Sequence, residues 1–199
     1  AWGVTNLQFD VQDLVHEQGN QSVNLQQSAI SVKGSPARPI TLGVTRNGPL
    51  FVAEGSNQYA LRWTANQPGG FTFPFLDIDR AHNWNEFRAA LERFGGPAQN
   101  FVYADVDGNI GYQATGWLPN RNNCAGDVPA EGPNCEWAGR ISFDQLPSAY
   151  NPSSGMVVTA NQNPFPADYP YRVDGHFAAP YRANQIRALL GSRAQWKPE

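Results

Sequence analysis

The chain has 199 residues, 41% of them hydrophobic and 12% aromatic, so it is long enough to bury the core of one large domain or parts of two. Only 16% of the residues are charged, and 19 glycines and 16 prolines favour a β-rich, loop-rich α+β fold over a helical one. The net charge is −3 without a Lys/Arg cluster, which argues against nucleic acid as a partner. The apolar runs are too short to span a membrane, and no basic segment followed by an apolar one indicates a signal peptide.

The first part of the chain reads as a series of strands. The pattern predicts a strand over residues 1–7, then a loop with Asp10 and Asp13. Further strands are predicted over 28–33, 40–45, 50–53 and 59–64, with a turn over 46–49 that carries the Asn-Gly hairpin signal. Because the chain starts within a strand and without Met, we expect it to be a piece of a longer product.

A helix is predicted over residues 83–94, where Asn83 is a capping residue and Glu86 follows three positions later. Its apolar positions have helical spacing: Trp84, Phe87, Ala90, Leu91 and Phe94. A hairpin over 100–104 and 109–115 follows. Its turn, 105–108, is similar to part of a calcium loop but lacks the rest of an EF-hand. Near the end we predict a buried strand over 155–160 and a helix over 181–190 with three inward-facing residues, Ile186, Leu189 and Leu190.

The two cysteines, Cys124 and Cys135, flank a short polar loop. This spacing predicts a disulfide and hence an exported protein, with two unrelated thiols as the alternative. A zinc site is disfavoured, because no Cys-x-x-Cys pair or nearby His completes four ligands.

Two short apolar runs end on amide residues, at Asn6 and in the segment 159–164. An amide side chain or a backbone N–H at the rim of a sheet can stabilise a developing oxyanion. The alternative is that each Asn forms a turn. The three histidines stand far apart, and no Gly-x-Ser-x-Gly motif is present. The residues therefore offer oxyanion donors without a nucleophile.

Eight blocks of the sequence, in this order, point to one family: residues 2–6, 10–14, 45–50, 83–87, 99–105, 107–112, 151–155 and 159–163. With these blocks the chain resembles the penicillin acylase (penicillin amidase) family of N-terminal-nucleophile hydrolases over essentially its whole length. One departure is Asn47, where many members of the family have His before Gly-Pro.

The resemblance implies part of a four-layer αββα sandwich. Residues 1–15 would form a core strand and a calcium loop, 16–96 an inserted β-rich subdomain with a helix, and 97–199 the return to the core. It also implies an amidohydrolase whose nucleophile is the N-terminal Ser of a β-subunit, with its own α-amine as base. That Ser would precede Ala1, so the chain alone is expected to be inactive. The implied partners are an α-subunit, the remaining β-subunit segments and a small-molecule amide, in the periplasm or outside the cell.

The resemblance also assigns roles to single residues. Asn6 would give a backbone N–H to the oxyanion, and Asn163 its side-chain amide. Arg182 would orient that amide; the alternative is a salt bridge at a helix start. Asn161 replaces Asn163 as the amide donor if the alignment shifts by two residues.

The same resemblance implies two further sets of residues, the ligands of a calcium ion and the lining of an acyl pocket. Asp10, Asp13 and the carbonyl of Gln12 would bind a structural calcium ion, with Asp174 as a distal ligand; the alternative is that both aspartates cap turns. Phe75 and Gln99 would line the acyl pocket, although Gln99 departs from an aliphatic residue.

A second hypothesis is a non-enzymatic exported binding module. Its aromatic loops would form a platform for a sugar or a peptide. The residues concerned are Trp117, Trp137, Tyr150, Tyr169 and Tyr171.

Overall fold

The computed structural model describes residues 1–17, 22–54, 57–122, 125–131, 136–193 and 196. Its strands are β1 (Trp2–Asn6), β2 (Gln12–Glu17), β3 (Asn24–Val32), β4 (Ser35–Thr45), β5 (Gly48–Glu54), β6 (Asn57–Trp63), β7 (Gln99–Ala104), β8 (Ile110–Thr115), β9 (Pro119–Asn122), β10 (Ala130–Glu131), β11 (Glu136–Arg140) and β12 (Ser148–Tyr150). Its α-helices are α1 (Phe75–Arg80), α2 (Trp84–Glu92) and α3 (Tyr181–Gly191). The predicted β-rich α+β class is confirmed. Cys124 and Cys135, for which we predicted a disulfide, lie outside the described residues.

A four-stranded antiparallel sheet carries the start of the chain, in the order β1-β7-β8-β12. β1 pairs with β7 from Trp2↔Tyr103 to Asn6↔Gln99. Within the described residues β1 is therefore an edge strand, and its outer side is open to further chain.

The predicted hairpin of β7 and β8 is confirmed, and its loop is a turn. The Asp105 carboxylate accepts hydrogen bonds from the N–H groups of Asp107 and Asn109, at 3.0 and 2.9 Å. It also accepts one from the Asn109 side chain at 2.9 Å. These local bonds lower the pKa of Asp105, and they use the oxygens that a cation would need.

Helix α2 packs on the four-stranded sheet. Asn83 caps it as predicted, because its Oδ1 accepts a hydrogen bond from the Glu86 N–H at 3.0 Å. One buried cluster joins the helices to β7: Ile78, Phe87, Ala90, Leu91, Phe94, Phe101 and Tyr103. A second cluster lies around the end of β1 and includes Leu7, Phe9, Ala98, Leu118 and Phe165.

A six-stranded sheet, in the order β10-β2-β6-β5-β4-β3, holds most of residues 12–63. Its turn between β4 and β5 is Arg46-Asn47, within the predicted turn 46–49, and Gly48 already pairs with Thr45. Gly48 has φ +129°, and a Cβ there would lie 2.2 Å from the Leu61 carbonyl oxygen, so this position needs glycine. A two-stranded sheet of β9 and β11 completes the described strands.

The prediction of a strand over 155–160 is wrong, since this segment is not in a ladder. One neighbouring side chain satisfies part of its backbone instead. Gln162 accepts a hydrogen bond from the Ala160 N–H at 2.7 Å and donates one to the Val158 carbonyl at 3.1 Å. The segment therefore has the apolar composition of a strand, but a side chain and not a neighbouring strand satisfies part of its backbone.

The predicted helix near the end is confirmed as α3, but the assignment of its buried face is wrong. Ile186 and Leu189 are 38% and 54% exposed, and Leu190 is partly exposed, whereas Ala183 is buried. A helical pattern predicts which residues share a face, but contacts with the rest of the protein decide whether that face is covered.

The division into residues 1–15, 16–96 and 97–199 stays a prediction, as does the four-layer sandwich. Two observations bear on the boundaries: β2 joins the six-stranded sheet from Gln12, and α2 packs on the other sheet. In the described parts of the chain, no helix is long and apolar enough to cross a membrane.

Candidate active site

The backbone of Asn6 lies at the open edge of the four-stranded sheet. Ala1 and Ala104 exchange hydrogen bonds across β1 and β7, and the Leu7 N–H donates to the Ala98 carbonyl at 3.0 Å. Bonded and non-bonded pairs alternate in an antiparallel ladder. The pair Asn6↔Gln99 is therefore non-bonded, and the Asn6 N–H points away from β7, out of the sheet edge.

The side-chain amide of Asn161 meets Asn6 at this edge. Asn161 has φ +67°, the left-handed conformation that Asn tolerates better than most residues, and its carbonyl accepts a hydrogen bond from the Ala178 N–H at 2.8 Å. Its Nδ2 donates to the Asn6 carbonyl at 2.9 Å. Its Oδ1 accepts from Arg182 Nη2 at 3.0 Å. Because an arginine only donates, Oδ1 must face it, and the amide N–H groups face Asn6.

The expectation that Arg182 contacts Asn163 is wrong, since Arg182 contacts Asn161. Asn163 is exposed, and its Oδ1 accepts a hydrogen bond from the Phe165 N–H at 2.9 Å. This local turn directs the Asn163 amide back to its own loop. The alternative, in which Asn161 is the amide near Asn6, fits the structure.

Polar groups behind Asn6 hold it in place, and the sequence reasoning missed them. Asn100, 1% exposed, donates from Nδ2 to the Asn6 carbonyl at 3.1 Å and to Thr5 Oγ1 at 3.2 Å. Thr5 Oγ1 lies 2.6 Å from Thr159 Oγ1, which joins β1 to the loop of Asn161. Tyr112 donates to Asn100 Oδ1 at 2.5 Å, and burial raises the pKa of Tyr112, so this donor stays protonated. The sequence contained one signal for these groups. Asn100 lies at a position of β7 where a strand in a protein core usually has an apolar residue.

An aromatic surface lies on the helix-facing side of β1. Side chains of Trp2, Val4 and Asn6 share one face of the strand, because successive residues alternate. Phe75 stacks on Trp2 with ring centroids 6.1 Å apart, and both rings are partly exposed. Gln99 lies opposite Asn6 on the same face. The two predicted pocket residues are therefore at opposite ends of β1, on the side that also bears Asn6.

The four oxygen groups that we predicted as calcium ligands do converge, and Arg121 of β9 lies among them. Arg121 Nε is 3.1 Å from both carboxylate oxygens of Asp13. Its Nη1 donates to the Asp10 carbonyl at 2.9 Å, and its Nη2 donates to the Gln12 carbonyl at 3.2 Å. Asp10 Oδ2 is 3.4 Å from Nη2, and Asp174 Oδ2 is 4.0 Å from Nη1. We call these five residues the Arg121 cage.

Calcium takes about six to eight oxygen ligands at about 2.3–2.6 Å. In the Arg121 cage, the Asp13 carboxylate and the carbonyls of Asp10 and Gln12 already accept hydrogen bonds from the guanidinium, and the carboxylates of Asp10 and Asp174 form ion pairs with it. Among the residues that the structure describes, no group of three or more His, Cys, Asp or Glu has a geometry that could hold a metal ion. The cage as it stands does not fit a calcium ion. Burial raises the pKa of Asp10, and the Gln12 N–H and Arg121 oppose that rise.

One stretch of chain connects the cage to the Asn6–Asn161 contact. The Asp174 carbonyl accepts a hydrogen bond from the Asp10 N–H at 2.9 Å, and the backbone N–H of His176 donates to the Gln8 carbonyl at 3.1 Å. Two residues further on, Ala178 donates to Asn161. Residues 174–178 therefore bond to the loop after β1 and to the loop of Asn161.

The five aromatic residues of the binding-module hypothesis do not gather on one surface. They pack against different neighbours: Trp117 against Arg140, Trp137 against Arg121 and Asp13, Tyr150 against Trp84, and Tyr169 and Tyr171 against each other and Gln145. This arrangement gives no support to a single aromatic platform.

A backbone N–H and an oriented side-chain amide at one sheet edge are the parts of an oxyanion site of the kind that acyl-transfer enzymes use. Comparison with known proteins agrees with this class. The family described as penicillin amidase matches residues 1–199, and the chain therefore belongs to the penicillin amidase family.

The relatives include acyl-homoserine lactone and penicillin acylases. Acyl-homoserine lactone acylase QuiP of Pseudomonas fluorescens is 33% identical over 96% of this chain and 26% of its own length. Penicillin G acylase of Escherichia coli is 31% identical over 72% of this chain and 17% of its own length. The solved structure of the thermostable penicillin G acylase from Alcaligenes faecalis matches with a TM-score of 0.82 at 28% identity, over 97% of this chain and 38% of that one. The chain thus spans about a quarter of the length of the first of these relatives.

Proposed function

We propose that this chain supplies the oxyanion site of an enzyme that hydrolyses N-acyl amides. The observation that carries the proposal is the contact of Asn161 Nδ2 with the Asn6 carbonyl, with Oδ1 held by Arg182. An amide nitrogen has two N–H groups, so one remains for a ligand beside the outward Asn6 N–H. Two donors side by side suit the single oxygen of a tetrahedral intermediate.

The reaction would be acyl transfer to a hydroxyl. The hydroxyl of an N-terminal Ser attacks the amide carbon while its own α-amine takes the proton. The carbonyl oxygen becomes negative, and Asn6 N–H and Asn161 Nδ2 stabilise that charge. The protonated α-amine returns its proton to the leaving nitrogen as the C–N bond breaks, so a neutral amine departs, and water then hydrolyses the acyl-enzyme to the carboxylic acid and the free Ser. We place this Ser in another part of the complete protein, because the chain spans only about a quarter of the length of its relatives.

We infer that the acyl group is apolar. The partly exposed rings of Trp2 and Phe75 and the side chain of Val4 lie along the face of β1 that also bears Asn6. An acyl carbonyl at Asn6 could therefore extend its chain over this surface. Gln99, on the same face, would restrict how close an apolar chain approaches the sheet. The acylases among the relatives, of penicillins and of acyl-homoserine lactones, are consistent with this class.

The proposal requires further segments of the same precursor, an α-subunit and the rest of the β-subunit, to complete the site. The open edge of β1 gives such a segment a place to pair. An exported location stays a prediction, because it rests on the two cysteines outside the described residues.

The test uses the complete protein that contains this chain. Purified protein is incubated with phenylacetyl, hexanoyl and decanoyl amides of one chromogenic amine, and with an N-acyl-homoserine lactone. We expect release of the amine from at least one acyl amide, with a covalent acyl-enzyme detected by mass spectrometry. Folded protein that releases no amine from any of them would overturn the proposal. The excised chain, assayed in parallel, is expected to show no turnover.

A further inference from the structure

Arg121 is a fully enclosed cation. Its side chain is 1% exposed, and that of Asp13, its nearest carboxylate, is 0% exposed. The guanidinium donates to the Asp13 carboxylate and to the carbonyls of Asp10 and Gln12. These groups come from β2 and the loop before it, whereas Arg121 comes from β9, more than a hundred positions later.

The charges around Arg121 require a cation at this point. Asp10, Asp13 and Asp174 are three carboxylates directed at one centre, and without a positive charge they would repel one another. Arg172 binds Asp174 from the outside at 2.8 Å, but it is half exposed. Arg121 is the guanidinium at the centre of the three.

We propose that Arg121 takes the place of a structural metal ion in this fold, so that the protein keeps its active conformation without calcium. A guanidinium carries five N–H donors and stays charged at any pH at which proteins are folded. It meets several oxygens at once, as a hard cation would, but it is covalently part of the chain and is not lost to chelators. A divalent ion would have to displace it and would be repelled by it.

The cage supports the candidate site through the chain between them. Arg121 fixes the segment of Asp10 to Gln12, and that segment is bonded to residues 174–178. The last of these, Ala178, donates to the Asn161 carbonyl. Through these bonds Arg121 stabilises the part of the fold that carries Asn6 and Asn161, and its role is structural.

The test compares metal dependence in the complete protein and its Arg121→Gln variant. Thermal unfolding is followed in EDTA and in excess calcium, with magnesium as the ion control. The wild-type midpoint is expected to be the same in EDTA and in calcium. In EDTA, Arg121→Gln should unfold roughly 2–3 °C lower, as expected for a buried charge cluster that loses one partner in a protein several times longer than a small domain. Calcium should restore part of that loss, because the freed oxygens and the new amide oxygen suit it.

A matched control is Arg93→Gln, which removes an exposed arginine from its salt bridge with Asp77. It should unfold like wild type in both solutions. A wild-type midpoint for Arg121→Gln in EDTA, or no recovery with calcium, would overturn the proposal.

A second readout does not need the Arg121→Gln variant to fold. Terbium replaces calcium in oxygen sites, and Trp137, which donates a hydrogen bond to Asp13, would sensitise its emission. Emission from terbium in the cage would be recognised by its loss in Asp13→Asn. In wild-type protein we expect no tryptophan-sensitised emission of this kind. Emission of that kind would mean that a metal binds in the cage beside Arg121, and the proposal would fail.

Discussion

Arg182 and Arg121 each hold polar groups in place, but the two sites differ in exposure and in the number of contacts. Arg182 lies at the exposed start of α3 and contacts one oxygen, that of the Asn161 side chain. Arg121 is enclosed and contacts oxygens from four residues. In the first site an amide N–H remains for a ligand, whereas in the second the guanidinium is surrounded by acceptors.

This difference predicts which variants change the reaction and which change the stability of the fold. Groups that must bind a transition state are left partly unsatisfied and accessible, so a change there should alter turnover more than folding. Groups that are enclosed and mutually satisfied contribute through the fold, so a change there should alter the free energy of unfolding first. Each of the following variants tests one side of the comparison.

The largest effect is expected in the Arg121 cage. Asp13→Asn removes the carboxylate that Arg121 Nε and Trp137 Nε1 both bind, and it leaves the guanidinium short of negative charge. Removing one partner of a buried ion pair costs about 3–5 kcal/mol of unfolding free energy. Urea unfolding of the complete protein measures this loss. Asp77→Asn, at the exposed pair with Arg93, is the control and should cost about 1 kcal/mol or less. Equal losses in the two variants would contradict the enclosed role of Arg121.

The next effect is on turnover. Asn161→Ala should lower kcat of the complete protein by about 100-fold to 1000-fold while KM changes little, because a donor to the oxyanion is lost. Asn163→Ala is the matched control, since its side chain bonds only within its own loop among the contacts described above. It should keep most of the activity. A larger loss in Asn163→Ala than in Asn161→Ala would reverse the assignment of the amide donor.

Much of this molecule follows from local sequence, but the exact site residues do not. The capped helix α2 and the hairpin at Asp105 were predicted because their signals lie within a few positions of each other. Asn161 and Asn163 share one loop, and only the left-handed backbone at Asn161 directs its amide to β1. Sequence alone cannot choose between two such asparagines.

The Arg121 cage shows the same limit for charge. The carboxylates of Asp10 and Asp13 are close in sequence, and the family resemblance predicts a cation site there. The cation that they meet belongs to β9, in a part of the chain that has no strong strand pattern. A buried ion pair of high sequence separation becomes visible only when the strands are assembled.

A smaller effect is expected at the exposed arginine. Arg182→Gln removes the charged donor that orients Asn161 and should lower kcat by about tenfold, in line with the loss of one hydrogen bond from a charged group. The unfolding free energy should change by less than about 1 kcal/mol, because the side chain is exposed. Arg187→Gln, on the same helix and bonded to Asn184, is the control and should leave kcat unchanged. A kcat of Arg182→Gln equal to wild type would remove Arg182 from the site.

The smallest effect concerns stability at high pH. Burial and the bond to Asp105 raise the pKa of Tyr103 from 10.0 to about 12. The unfolded chain therefore loses this proton first as pH rises, so the stabilising contribution is complete below pH 10 and is lost between about pH 10 and 12. Tyr103→Phe should show a shallower loss of stability over that range. Tyr181→Phe, at a position that is 79% exposed, should keep the wild-type slope in thermal unfolding series.

The open edge of β1 also has a consequence for handling the molecule. The N–H groups of Trp2, Val4 and Asn6 point away from β7, in a strand that is partly apolar and free of Lys or Pro. Such an edge is a template for any other extended chain, including the same edge of a second copy. Expressed by itself, the 199-residue chain is therefore expected to dimerise or precipitate through edge-to-edge pairing of β1. The substitution Val4→Lys should keep it monomeric and in solution.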